Sequence, residues 1–242
     1  MVFQGRQLAN FSLLYFATIA AQLGNLAYQA QEKEFSFLSQ LVPSVLFLSV
    51  LTIPALLVGL LLGPKVGIAA FDNRPSVNRA QFKQAIVFTI VSSILLGSAL
   101  LVLRWMLLAY LPAEIPEYGF RGFAGGTVVS ISAAVGEEVW FRFGLMTLAL
   151  WAAQKFVNNR SLTIKHVLPI IVGIGVLFGL AHLPQLASFG ADTQFAVWAT
   201  ILGNISVSIL FGWCFWRYGL VYAILAHFSL DMVLHALPAL FI

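Results

Sequence analysis

Charge is what this sequence has least of. Asp, Glu, Lys and Arg make up 9% of 242 residues, against roughly a quarter in soluble domains. That scarcity excludes an ordinary soluble core. It also excludes a nucleic-acid surface, because the net charge of +4 comes without any Lys/Arg run or basic face. Cysteine is nearly absent. Cys214, inside an apolar run, rules out a disulfide framework and a thiolate metal site, and reads as a packing residue. The His-Glu-x-x-His zinc motif is missing, and no serine stands in a nucleophile elbow. No repeat or low-complexity segment stands out. The first apolar run lacks a clean small-residue cleavage site, so it is expected to be a membrane helix and not a removed signal.

What fills the chain is apolar: 60% hydrophobic residues and a mean hydropathy of +0.93. A spanning helix needs about 20 mostly apolar residues. Seven segments qualify, with a range of six to eight: 9–30, 38–63, 84–112, 123–153, 167–185, 194–216 and 219–241. The first is interrupted by Gln22, Asn25 and Gln29, which leaves an interfacial helix as its alternative. The expected fold is an all-α, polytopic membrane bundle forming one domain over 1–242. With the N-terminus in the cytoplasm, Arg6, Lys65, Arg74, Arg79, Lys83, Lys155, Arg160, Lys165 and Arg217 lie inside and only Lys33 and Arg121 outside. The polar stretch 63–83 is the longest connection and reads as a loop. His166, beside Lys165, reads as solvated.

Against this background a few ionisable residues inside apolar segments stand out: Glu137, Glu138 and Arg142 on the fourth, His182 on the fifth, and His227, Asp231 and His235 on the seventh. Such groups are costly in a bilayer and persist when paired or lining a wet cavity. Successive helical residues turn by about 100°. Glu138 and Arg142, four apart, share a face and suit an ion pair. Glu137 lies roughly 140° round from Arg142 and needs another partner, which makes it the reactive candidate. A single ionic staple between helices is the structural alternative. Phe178 shares a face with His182, and Pro184 should end or kink that helix. His227, Asp231 and His235 form one stripe, in which Asp231 can orient the His227 ring; His235, near the helix end, also reads as solvated. A carboxylate base and a histidine suit water activation, and a second histidine with its partner suits an oxyanion. Glu137, His182, His227 and Asp231 are also metal-ligand types, but the sequence favours a reaction with no metal or other cofactor.

The three motifs Glu137-Glu138-Val-Trp-Phe-Arg142, Phe178-Gly-Leu-Ala-His182 and His227-Phe-Ser-Leu-Asp231 resemble those of the CPBP family of CAAX proteases and bacteriocin-processing enzymes, over about 84–235. The resemblance implies a glutamate-dependent intramembrane protease. Glu137 would be the general base, His182 would orient the water, and His227 with Asp231 would form the oxyanion site. Glu138, Arg142 and Phe178 would support them. Asp231 stands where the CAAX protease has Asn; an ionised Asp cannot donate, so it would be protonated or act through His227. Phe143 stands where many relatives have Gly. The implied partners are membrane lipids and a peptide or lipidated-peptide substrate. The short loops point to a bacterial inner membrane. A non-catalytic immunity or scaffold protein and a small proton-coupled transporter are the alternative functions.

One tension follows from helix rise. At about 1.5 Å per residue, Glu137 is roughly 27 Å from Lys155 and His182 roughly 25 Å from Lys165, but His227 is only about 15 Å from Arg217. For the groups to meet, either the hairpin joining the fourth and fifth segments protrudes or the turn near Arg217 is recessed.

Overall fold

The computed structural model describes residues 5–71, 79–158 and 161–241. Arg74 and Arg160, and part of the 63–83 connection, lie outside the described residues. The chain is helical throughout these stretches: α1 (Gly5–Glu32), α2 (Phe37–Leu62), α3 (Arg79–Met106), α4 (Gly122–Glu137), α5 (Thr147–Phe156), α6 (Ile164–Ala181), α7 (Leu183–Ser188), α8 (Gln194–Tyr218) and α9 (Leu220–Asp231). Two π-helical segments, Glu138–Met146 and Met232–Ala236, continue α4 and α9 without a break.

Five helical stretches are long and apolar enough to cross a membrane: Phe37–Val66, Ala80–Met106, Ile164–Ser188, Gln194–Tyr218 and Leu220–Leu240. They correspond to the second, third, fifth, sixth and seventh expected segments. The first and fourth fall short by this measure. In α1, Gln22, Asn25 and Gln29 dilute the hydropathy, and the fourth is divided by its π segment and carries three charges. The polar residues of α1 have structural work. Gln22 Nε2 donates to the Ser132 carbonyl at 2.7 Å, and Tyr28 Oη to the Arg121 carbonyl at 2.9 Å, both fastening α1 to α4. Large apolar side chains such as Leu38, Val42, Leu46, Val50, Val91 and Leu95 stay exposed, as expected of lipid-facing helices.

Close helix approach rests on small residues, the usual device where lipid removes the hydrophobic drive for association. Gly175 and Gly179, four apart, bring α6 within 3.2 and 2.9 Å of Ile205 and Ile201 backbone atoms of α8, measured from where a Cβ would lie. A methyl group on Gly59 would overlap the ring of Phe143, which is fully buried. Phe143 is therefore a knob seated on α2. We expect Gly59→Ala to lower the thermal unfolding temperature in detergent, by the ~1–3 kcal/mol typical of overpacking, and Phe143→Leu added to it to recover part of the loss.

The expectation that Pro184 ends a helix holds: α6 stops at Ala181, His182 is its C-cap, and α7 starts with Pro184 in its first turn. His166 is exposed as expected, yet it has a task. Its Nδ1 accepts from the Thr163 backbone N–H at 3.1 Å, closing a capping box on α6. The turn near Arg217 packs against the stretch after α2. Gly219 (φ 102°) reverses the chain under Ala69, whose carbonyl would lie 3.0 Å from a Cβ there, and Leu220 is fully buried. A π turn also carries more residues than an α turn, which shortens the run from Glu137 to Lys155.

Candidate active site

The fourth segment and α9 carry the acid cluster, and each places its carboxylate at the same kind of junction. Glu137 is the last α residue before the first π segment, and Asp231 the last before the second. Such π turns are rare and recur at functional sites. Thr147 serves the first of them: its N–H and its hydroxyl (3.2 Å) both donate to the Arg142 carbonyl.

Arg142 is fully buried. Its Nη1 lies 3.1 Å from Glu138 Oε1, the ion pair expected from their spacing, and its Nη2 donates to Ser208 Oγ at 2.9 Å. Its guanidinium sits 4.7 Å from the Phe178 ring centroid and 5.3 Å from that of Phe211, a cation–π sandwich that replaces part of its lost hydration. Glu138 is not confined to Arg142. Its Oε1 also accepts from His227 Nδ1 at 2.9 Å. A carboxylate only accepts, which assigns the proton on that edge of the ring to Nδ1.

The pairing of His227 with Asp231 expected from their spacing is present, and Glu138 joins it as a second carboxylate on the ring. Glu138 holds the ring through Nδ1, and Asp231 stands on the other edge, with Oδ2 3.4 Å from Nε2. The i,i+4 spacing of His227 and Asp231 suggested their pairing, but the tighter partner comes from the neighbouring helix. Phe211 fixes the ring plane, stacked on His227 at 4.4 Å between centroids and 15° between planes. Phe211 and Ser208 escaped sequence reasoning. Neither is charged, and a Phe and a Ser in an apolar helix carry no signal of their own.

Glu137 also reaches His227. Its Oε2 lies 3.8 Å from Nε2, too far for a hydrogen bond. That oxygen is buried and has no hydrogen-bond partner among the described residues. The Glu137 side chain is nonetheless 23% exposed, unlike fully buried Glu138. His182 is half-buried. Its Nδ1–H donates to the Phe178 carbonyl at 2.8 Å, so Nε2 is left as the acceptor. Its ring meets Phe178 edge-on at 4.7 Å. The structure thus brings Glu137, Glu138, Arg142, Phe178, His182, His227 and Asp231 into one region. His235 departs from its reading as a solvated end residue: it is half-buried, with its ring 5.8 Å from Tyr118. Among the described residues, no three His, Cys, Asp or Glu side chains are grouped as a metal-binding set. Cys214 is buried.

A helical membrane bundle enclosing an acid–imidazole cluster defines the class. Residues 98–233, more than half of the chain, match the family model described as type II CAAX prenyl endopeptidase Rce1-like, and the chain belongs to that family. The match supports a membrane protease and spans every residue of the cluster. No curated protein and no solved structure matches the chain.

Proposed function

We propose that this protein is an intramembrane endopeptidase in which Glu137 activates water for attack on a peptide bond near the membrane surface. The observation that carries this reading is the buried Glu137 oxygen without a partner, 3.8 Å from His227 Nε2. A buried acceptor left unpaired is costly, and the partly exposed Glu137 side chain gives water a way to its carboxylate. The water oxygen attacks the carbonyl carbon while its proton passes to Glu137. His182 Nε2, an acceptor, orients the second water proton. As an imidazolium, His227 presents Nε2–H to the developing oxyanion. Asp231 then acts through His227, which answers how a residue that cannot donate when ionised serves an oxyanion. Collapse of the tetrahedral intermediate breaks the C–N bond, and the proton held on Glu137 goes to the leaving amine. No metal or other cofactor takes part in this scheme.

The substrate is a peptide or lipidated peptide with access from the lipid phase, by CAAX-type or leader-peptide processing. The residues bearing Lys65, Lys155, Lys165 and Arg217 face the cytoplasm of a bacterial inner membrane, with the N-terminus on the same side. The test compares peptide termini in host membranes carrying the wild type with those carrying Glu137→Gln at matched expression. New termini seen only with the wild type are expected. Identical profiles, with both proteins folded, would overturn the reading in favour of a non-catalytic scaffold.

A further inference from the structure

One amide on α8 takes no part in the reaction scheme. Asn204 lies within the span Gln194–Tyr218, where a polar side chain is costly unless it has partners. Polar residues in such helices usually bond across to a neighbouring helix, as Ser208 does to Arg142 and Gln22 to Ser132. The Nδ2 of Asn204 instead donates to the Thr200 carbonyl of its own helix at 2.9 Å. That bond sets which end of the amide is oxygen. It leaves Oδ1 and the second Nδ2 hydrogen without a partner among the described residues. The side chain is half-buried, so it borders open space as well as packed helix.

That space adjoins the acid cluster. Helical residues turn by about 100° each, so Asn204 lies about 40° from Ser208 and about 20° from Phe211 around α8. Ser208 bonds Arg142, and Phe211 stacks on His227, so this face of α8 is the one turned to the cluster. Asn204 stands one turn before Ser208, level with Gly179 of α6: a Cβ on Gly179 would lie 3.5 Å from the Asn204 Cβ. His182 follows Gly179 by one turn and bonds back to the Phe178 carbonyl, which brings its ring to the same level. Thr200, one turn further along α8, lines a cleft together with His182. Asn204 thus belongs to the wall between the Arg142–His227 layer and His182.

We propose that Asn204 binds the backbone of the peptide substrate beside the scissile bond, with Oδ1 accepting a peptide N–H and the free Nδ2 hydrogen donating to a peptide carbonyl. The identity of the ligand as a peptide rests on the proteolytic reading above. A peptide drawn from lipid has to unwind to present its carbonyl carbon. Each N–H and C=O released from a helix then needs a new partner where water is scarce. A side-chain amide offers the same donor and acceptor as the peptide group, whatever side chains the substrate carries. Asn204 therefore contributes affinity without reading sequence.

The test uses the full-length Glu137→Gln protein in lipid nanodiscs, which binds without turnover. The probes, titrated calorimetrically, are acetyl-tetraleucine amide and four analogues, each with one leucine N–H replaced by an ester oxygen. One analogue should bind about ten-fold weaker than the parent, within the cost of leaving a buried acceptor unpaired. Asn204→Leu should weaken the parent by a similar factor and abolish the difference between the parent and that analogue. Asn204→Ala, which adds no bulk against Gly179, should do the same if Leu does not fit. On a substrate found by comparing termini, Asn204→Leu with Glu137 intact should raise KM about ten-fold and leave kcat within about two-fold, the pattern of uniform binding. Equal binding of all five probes, no binding of any, an ester penalty that survives the loss of the amide in folded protein, or a loss confined to kcat would overturn the proposal. Failure of the proteolytic reading shows separately, as equal cleavage by the wild type and Glu137→Gln.

Discussion

Glu137→Gln should reduce peptide cleavage by about 10²–10⁴-fold, the usual contribution of a general base, and leave stability unchanged. The reason is the environment of that one carboxyl. Its nearest cationic partner is His227 at 3.8 Å, and its Oε2 makes no hydrogen bond within the described residues. The amide keeps the size of the side chain and breaks no bond. The loss should fall on kcat, with KM nearly unchanged, because proton removal from water belongs to the transition state. Glu138→Gln should behave differently, since that residue holds both Arg142 and His227. It should lower activity and unfolding temperature together. If Glu137→Gln destabilised the protein as much as Glu138→Gln, Glu137 would be part of an ionic staple and the water-activation scheme would fail.

Removing the Arg142 charge should be the most damaging change to the fold. Arg142→Met retains the apolar bulk between Phe178 and Phe211 but leaves Glu138 buried without its cation. Breaking a buried pair in this way typically costs about 3–5 kcal/mol. The effect should appear as a fall in unfolding temperature or in resistance to steric trapping. Adding Glu138→Gln removes the stranded charge, so the double variant should be more stable than Arg142→Met alone, a positive coupling in a double-mutant cycle. Equal stability of the two would show that Arg142 acts by packing and not by neutralising Glu138. Ser208→Ala, which removes only the 2.9 Å bond to Nη2, should cost less than either.

The parts of this site that could be read from the sequence are those where an ionisable group breaks an apolar run. Glu137, Glu138, Arg142, His182, His227 and Asp231 are conspicuous because a bilayer penalises them. Helical rotation separated Glu138 from Glu137 and joined it to Arg142, as the 3.1 Å pair shows. Rotation within one helix cannot say what stands on the next, so the bond from His227 to Glu138, on the ring edge opposite Asp231, was hidden. Phe211 and Ser208 were hidden for a different reason: an aromatic stack and a hydroxyl leave no trace in composition. Two of the seven expected segments fall short of the length and hydropathy of a span. Gln22 and Tyr28 bind α4, so their polarity marks a helix interface. The fourth segment carries its charges and its π turn because the site is built there.

Those π turns set a phase as well as a shape. An α-helix advances about 100° with each residue, so the wider turn at Glu138–Met146 fixes how α4 is rotated relative to α5, and the one at Met232–Ala236 does the same for α9 and the residues after it. Glu137 and Asp231 sit at the seams of two such dislocations. A chain shortened by one residue at either seam could keep every side chain named above and still lose their meeting point. The side of the helix that carries the carboxylate would swing toward lipid. Reading frame along the helix, and not only residue identity, is therefore part of what the sequence must preserve here.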